Sequence, residues 1–247
     1  MPKLARILRY PVKSLSAEGL ERVPLSPGQG LPGDRRFALA LADTPWDEPH
    51  WLPSEQLLTQ ARFPRLAQLD ARVDGHRLTI RRRGRVVLSA DLHAVHGRQV
   101  VSSFFAAFLA GQCFAHPRLV EYGNGFGDHP RPMLSFVGSG TLEEVARLSG
   151  HALDPADLRV NLLIGGLPPR AEQDWQGRRL RIGNVVLRVL EPMERPVLPE
   201  LLGATFGHSH VGMWAEVVTG GELKLGAEMT VEGIGGSPRP EEVNRPA

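Results

Sequence analysis

The chain has 247 residues, 42% hydrophobic and 23% charged, proportions that suit a soluble globular protein of one large or two modest domains. Twenty-nine basic against 27 acidic side chains leave a net charge of +2, which argues against general binding to nucleic acid. The single cysteine, Cys113, excludes an intramolecular disulfide, an iron–sulfur cluster and a multi-cysteine zinc site, and leaves one thiolate as a nucleophile or soft-metal ligand.

The opening Met1-Pro2-Lys3-Leu4-Ala5-Arg6 lacks the apolar run and cleavage site of a signal peptide, and no stretch approaches 18 apolar residues. A cytoplasmic protein without a membrane span is expected. Strand patterns then dominate. Leu4 to Tyr10 alternates loosely, Arg36 to Ala42 is an apolar run after a turn, and Leu78–Ile80 leads through Arg82-Arg83-Gly84 into Arg85–Ser89 as a hairpin. Val101 to Ala110 reads as a helix whose Phe104, Phe105 and Phe108 pack into the core. The Gly-, Pro- and His-rich stretch from Phe114 to Pro132 reads as a loop or junction between two halves.

A second helix is predicted over Gly140–Ser149, with a Thr141/Glu144 capping box and a stop at Gly150. Strands follow at Leu162–Ile164, Leu180–Ile182, Val185–Leu190, Trp214–Val218 and Thr230–Ile234, with Gly183-Asn184 and Gly220-Gly221 as hairpin turns. Twenty-seven glycines and 21 prolines among many short runs point to a mostly β, barrel-type fold with a few helices. The Pro/Glu/Arg-rich tail reads as flexible.

Two clusters carry chemistry. Lys13 and Ser14 lie at a strand end, and Gly33-Asp34-Arg35 follows about twenty residues later. An ammonium, a hydroxyl and a guanidinium fork suit a phosphate or another anion. The competing reading is a surface turn with a salt bridge on Asp34. Arg159 and Asn161, two apart on an extended segment, face the same way. They offer a charge and an amide, although Asn161 also suits a strand-edge cap. His208 and His210, with Asp128 and His129, form a weak zinc-like set without a specific third ligand. Half-exposed histidines are the plainer reading.

In this order, Tyr10 to Leu15, Gly33 to Phe37, Leu58-Thr59-Gln60, Phe63 to Ala67, Gly125 to Asp128, Ser139 to Glu143, Arg159 to Asn161, Asp174-Trp175, Leu180 to Leu187 and Gly220 to Gly226 resemble the MOSC superfamily, named for the molybdenum cofactor sulfurase C-terminal domain. The resemblance is to its two-part branch, similar to the amidoxime-reducing proteins. It implies an N-terminal β-barrel domain over residues 1–113, the MOSC domain proper over 114–236 and a tail over 237–247. It implies a molybdenum cofactor, with Lys13, Ser14 and Arg35 on its phosphate and pterin and with Ser139, Thr141, Arg159 and Asn161 lining the other side. Pyridoxal phosphate binding is a further association of the family. Any redox turnover, such as reduction of N-hydroxylated compounds or sulfur handling, needs electrons from a separate protein.

The resemblance places a molybdenum-ligating cysteine where this chain reads Glu191-Pro192-Met193-Glu194-Arg195-Pro196. Pro196 has neither a thiolate nor a backbone N–H. Cys113 lies far upstream and reads as a small buried hydrophobe, Met193 is a neutral thioether, and Glu191 and Glu194 could ligate only through oxygen. A cofactor-binding protein with redox chemistry and a degenerate, non-catalytic binding or carrier protein both remain open.

Overall fold

A computed structural model describes residues 1–112, 116–194 and 210–232. Among these described residues the fold is mostly β, with two α-helices. An eight-stranded sheet combines both ends of the chain: β1 (Lys3–Arg9) and β2 (Glu18–Leu20) with β9 (Leu134–Gly138), β10 (Leu162–Gly165), β11 (Arg179–Ile182), β12 (Val185–Glu194), β13 (His210–Thr219) and β15 (Met229–Glu232). Its order is β15-β11-β12-β13-β9-β10-β1-β2. No ladder joins the two outer strands, yet the sheet curls toward closure. Leu4 N–H donates to Ala227 O (2.9 Å), Gly226 N–H to Leu4 O (2.8 Å) and Met229 N–H to Pro2 O (2.9 Å). The start of β1 therefore lies against the segment leading into β15.

The pair β9–β10 is parallel and needs a crossover, which α2 (Ser139–Ser149) supplies. Three smaller sheets complete the fold. They pair β3 (Arg22–Leu25) with β14 (Gly221–Lys224), β4 (Phe37–Ala40) with β8 (Arg118–Glu121), and β5 (Asp70–Asp74), β6 (Arg77–Arg82) and β7 (Arg85–Asp91) in that order. Helix α1 (Val95–Phe108) packs Val101 and Phe105 with Leu78, Ile80 and Leu88 of the three-stranded sheet. A separate core lines the eight-stranded sheet through Leu4, Ile7, Leu134, Phe136, Leu187 and Met213. Among the described residues no helix is long and apolar enough to cross a membrane.

Several expectations need correction. The stretch from Phe114 to Pro132 is not all loop, because Arg118–Glu121 is β8, paired along its length with β4. Gly220-Gly221 is no hairpin turn: β14 leaves β13 and pairs with β3, and a side chain on Gly220 would press on Leu25 O. The capping box is absent. Helix α2 starts at Ser139, so Thr141 lies inside the first turn and its hydroxyl donates to Glu172 Oε2 (2.9 Å). Helix α1 begins six residues before the predicted start, at Val95, without a side-chain cap. The hairpins at Arg83-Gly84 and Gly183-Asn184 and the left-handed stop at Gly150 stand as read.

Candidate anion-binding site

Four segments meet beyond the end of β1. Arg35 N–H donates to Tyr10 O (2.6 Å), Phe37 N–H to Pro11 O (3.1 Å) and Lys13 N–H to Phe37 O (2.8 Å), so the two motifs about twenty residues apart lie side by side. Tyr10 N–H also donates to Asp34 Oδ1 (2.7 Å). The third segment is joined by Phe126 N–H donating to Arg35 O (2.8 Å). Gly125 has φ +79° there, and a Cβ on it would overlap Asp34 O, so close approach and backbone angle both select glycine. The fourth arrives at Arg159–Asn161, where Tyr10 Oη donates to Val160 O (3.1 Å) and Arg35 Nη2 to Arg159 O (2.8 Å).

Lys13, Arg35 and Arg159 converge there around Asp34 and Asp128, leaving one more positive than negative charge. Tyr10 is the platform, with Arg35 Cζ 4.8 Å and Arg159 Cζ 4.5 Å from its ring centroid. Lys13 Nζ donates to Phe126 O (2.8 Å), Gly127 O (3.4 Å) and Asp128 Oδ1 (2.9 Å), which fills its three donors. Burial pulls the Lys13 pKa below its usual value, against the opposing pull of Asp128. Arg35 is paired with Asp34. Burial disfavours its charge, but Asp34 and Asp128 prevail and hold its pKa above the usual value. Arg159 is different. Burial first and Arg35 next lower its pKa to about 10. Its Nη1 donates to Leu15 O (3.1 Å), while Nη2 is sealed from solvent without a hydrogen-bond partner among the described residues.

The backbone marks the same place. Ser14, Arg35 and Arg159 have φ of 68°, 50° and 52°. Left-handed non-glycine residues of this kind each cost on the order of 1–3 kcal/mol and persist only where their surroundings fix them, often at functional sites. A cavity of about 30 Å³ opens beside the cluster, with Leu31, Asp34, Arg35, Asp128, His129 and Trp214 among its walls.

The remaining predicted residues lie apart or are committed elsewhere. Ser139 Oγ accepts from Gly166 N–H (3.2 Å). Thr141 Oγ1 donates to the buried Glu172 and accepts from Arg170 N–H (2.7 Å). Asn161 lies next to Arg159, but its Oδ1 accepts from Ser135 N–H (3.1 Å) and Ser135 Oγ (3.0 Å), while Nδ2 donates to Leu8 O (3.2 Å). Its amide thus ties β1 and β9 across the start of β10, the strand-edge role. The turn reading of Asp34 and the anion reading of Arg35 meet in one ion pair. Met193 is buried in packing against Val137 and Val211, and Glu191 pairs at 3.8 Å with Arg131. Cys113, Pro196 and His208 lie outside the described residues. His210 opens β13, and among the described residues no three His, Cys, Asp or Glu side chains are grouped to hold a metal ion.

Sequence reasoning missed Tyr10 as platform and Asp128 as the partner of Lys13. Both stand inside motifs that were singled out, but a ring beneath two guanidinium groups becomes visible only when residue 159 returns to residue 10.

Residues 1–114 match the family described as the MOSC N-terminal beta barrel domain. This part of the chain is a MOSC N-terminal domain. It contributes Tyr10, Lys13, Ser14, Asp34 and Arg35, while Asp128 and Arg159 come from the sequence that follows. Among solved structures, the chain is similar to YiiM from Geobacillus stearothermophilus at 19% identity and a TM-score of 0.34, over 40% of this chain and 54% of that one. It therefore spans about half the length of YiiM. It is also similar to the YUAD protein from Bacillus subtilis at 13% identity and a TM-score of 0.46, over 94% and 96% of the two chains. No curated protein matches it.

Proposed function

We propose that this chain is a cytoplasmic protein that binds a phosphorylated pterin of the molybdenum-cofactor class at the Tyr10-centred cluster. The buried, unsatisfied Arg159 Nη2 carries the reading, because a buried guanidinium donor without an acceptor is costly and a phosphate oxygen would satisfy it. Arg35 and Arg159 would present planar forks to the anion, and Ser14, next to Lys13, would add a hydroxyl. Lys13 would contribute its charge, or exchange Asp128 for a ligand oxygen. The donor set fits the phosphate end of the cofactor. Ser139, Thr141 and Asn161 would act by holding the strands and α2 in place. The division into residues 1–113 and 114–236 puts this cluster where the proposed N-terminal and MOSC domains meet.

When bound, a molybdenum centre supplies two-electron reduction, which the family applies to N-hydroxylated compounds. A thiolate at position 196 would be this chain's own contribution to that centre, and Pro196 cannot provide one. This residue favours a second reading, in which the protein holds or carries the cofactor without redox turnover. Protein from a host that makes the cofactor separates the two by molybdenum content, form A fluorescence of released pterin and benzamidoxime reduction with an external electron donor. Pterin with reduction supports an oxidoreductase, and pterin without it supports a carrier. Absence of pterin and molybdenum together overturns both. Pro196→Cys is expected to raise molybdenum retention.

A further inference from the structure

Charge is segregated along the β5-β6-β7 sheet. At one end Arg77 stands between Asp74 and Asp91. At the other, β6 runs through Arg81 and Arg82 into Arg83, and β7 starts at Arg85. Arg65 joins them from the short helical turn Pro64–Gln68. Its Cζ lies 5.0 Å from the ring centroid of the buried Phe108, and Arg82 Cζ lies 5.2 Å from the same centroid. Asp70, opposite Arg81, is the one carboxylate in register with these positions, and its Oδ1 already accepts from Ser16 Oγ (3.1 Å). Among the described residues none of the five arginines forms an ion pair. Without these five positive charges the net charge of +2 would be −3, so this end is basic on a molecule otherwise acidic.

The fold bears costs at this end that no internal contact offsets. Arg82 and Arg85 stand directly opposite each other in the ladder, and like charges so placed are destabilising. Arg83 has φ +51° and Gly84 φ +77°, a two-residue turn in which Asn or Asp ordinarily takes the first place. Arg82 Nη2 donates to Gln68 Oε1 (2.7 Å), but its Nε is sealed from solvent with no hydrogen-bond partner among the described residues. An apolar pair adjoins the arginines. Ile80 is opposite Leu88 and Arg81 is opposite Val86, so Val87 is an extra residue in β7. Such a bulge breaks the alternation of the strand. It leaves two adjacent valines, Val86 and Val87, 55% and 42% exposed, where a regular strand would turn one of them inward.

We infer that this end of the sheet docks the protein reversibly on an anionic lipid bilayer. The arginines meet headgroup phosphates, and Val86 and Val87 enter the boundary between headgroups and acyl chains. Each arginine at such a surface raises the partition coefficient by roughly fivefold. A nucleic acid would satisfy the arginines but leave the valines in water. The ring at the centre of the cluster, Phe108, is also too buried for a base to stack on. The surface shares no residue with the Tyr10-centred cluster, so docking and anion binding are separable.

Co-sedimentation of the full chain with lipid vesicles tests the inference. The wild type is expected to bind phosphatidylcholine vesicles containing about one-third phosphatidylglycerol, to ignore pure phosphatidylcholine, and to be released as salt rises. Arg83→Asn/Arg85→Gln removes two charges and places a favoured residue in the turn. It is expected to lower the partition coefficient by about 20- to 30-fold while the thermal midpoint stays level or rises. Arg181→Gln/Arg188→Gln removes two charges from β11 and β12 and is expected to leave partition within about twofold of wild type, which separates local charge from net charge. Val86→Ser/Val87→Ser keeps every charge and is expected to weaken vesicle binding several-fold. A wild type that does not bind anionic vesicles, or equal losses in the two arginine pairs, would overturn the inference. Unchanged vesicle partition in the valine variant, with retention on a single-stranded oligonucleotide, would overturn it in favour of nucleic acid.

Discussion

Replacing Arg159 by methionine separates a binding cation from a structural one. A pKa lowered by burial to about 10 means that holding the guanidinium charged in the fold costs roughly 3 kcal/mol relative to water. Methionine removes that cost and keeps much of the side-chain volume over Tyr10. It forfeits the hydrogen bond to Leu15 O, worth about 1 kcal/mol, and the ring contact, worth about 1–2 kcal/mol. These terms nearly cancel, so Arg159→Met should leave the unfolding free energy within about 1 kcal/mol of wild type. Binding should respond quite differently. Loss of a charge-assisted contact of about 2–3 kcal/mol weakens phosphate by roughly 30- to 150-fold in titration calorimetry. The pH dependence has a fixed sign. The folded pKa lies below the unfolded one, so the burial cost is present at neutral pH and is relieved as pH rises above about 10. Phosphate affinity of the wild type should fall in the alkaline range as the two cations with lowered pKa, Lys13 and Arg159, lose charge. A loss of more than about 3 kcal/mol in stability, or unchanged phosphate affinity, would refute the assignment.

Asp128→Asn removes one of two carboxylates from the cluster and should strengthen phosphate binding several-fold by calorimetry, because the side chain that holds Lys13 then carries no competing charge. Glu172→Ala leaves Gly138 N–H and Thr141 Oγ1 without their buried acceptor. It should cost about 2–4 kcal/mol in denaturant unfolding yet leave phosphate affinity of the folded protein unchanged, which separates Thr141 from the anion site. Gly125→Ala forces a Cβ onto Asp34 O at φ +79° and should cost at least about 2 kcal/mol, with parallel loss of phosphate binding.

The fold was legible where local chemistry decides it. Arg83-Gly84 and Gly183-Asn184 turn their strands back, and Leu78 and Ile80 alternate as a half-buried strand should. It was not legible where partners are distant. Nothing near Gly221 announces that Leu223 will pair with Val23, and nothing near Lys3 announces Glu228. Helix α1 hid its start because Val95-His96-Gly97 carries no cap and includes glycine, which packs there against Asp91 O. In the site, residue chemistry pointed to Lys13, Ser14, Arg35 and Arg159, which do converge. Thr141 and Asn161 have the same polar chemistry, but their use is set by buried partners, Glu172 and Ser135, that no spacing reveals. The Lys13–Asp128 pair joins a lysine 5% exposed to an aspartate 52% exposed, a contrast fixed only by tertiary packing.

The most direct test is to purify the wild type and Arg159→Met from the same cofactor-producing host and measure form A fluorescence per mole of protein. Pterin that accompanies the wild type and is largely lost from Arg159→Met is the predicted result. Equal pterin in both, or none in the wild type, would contradict the account.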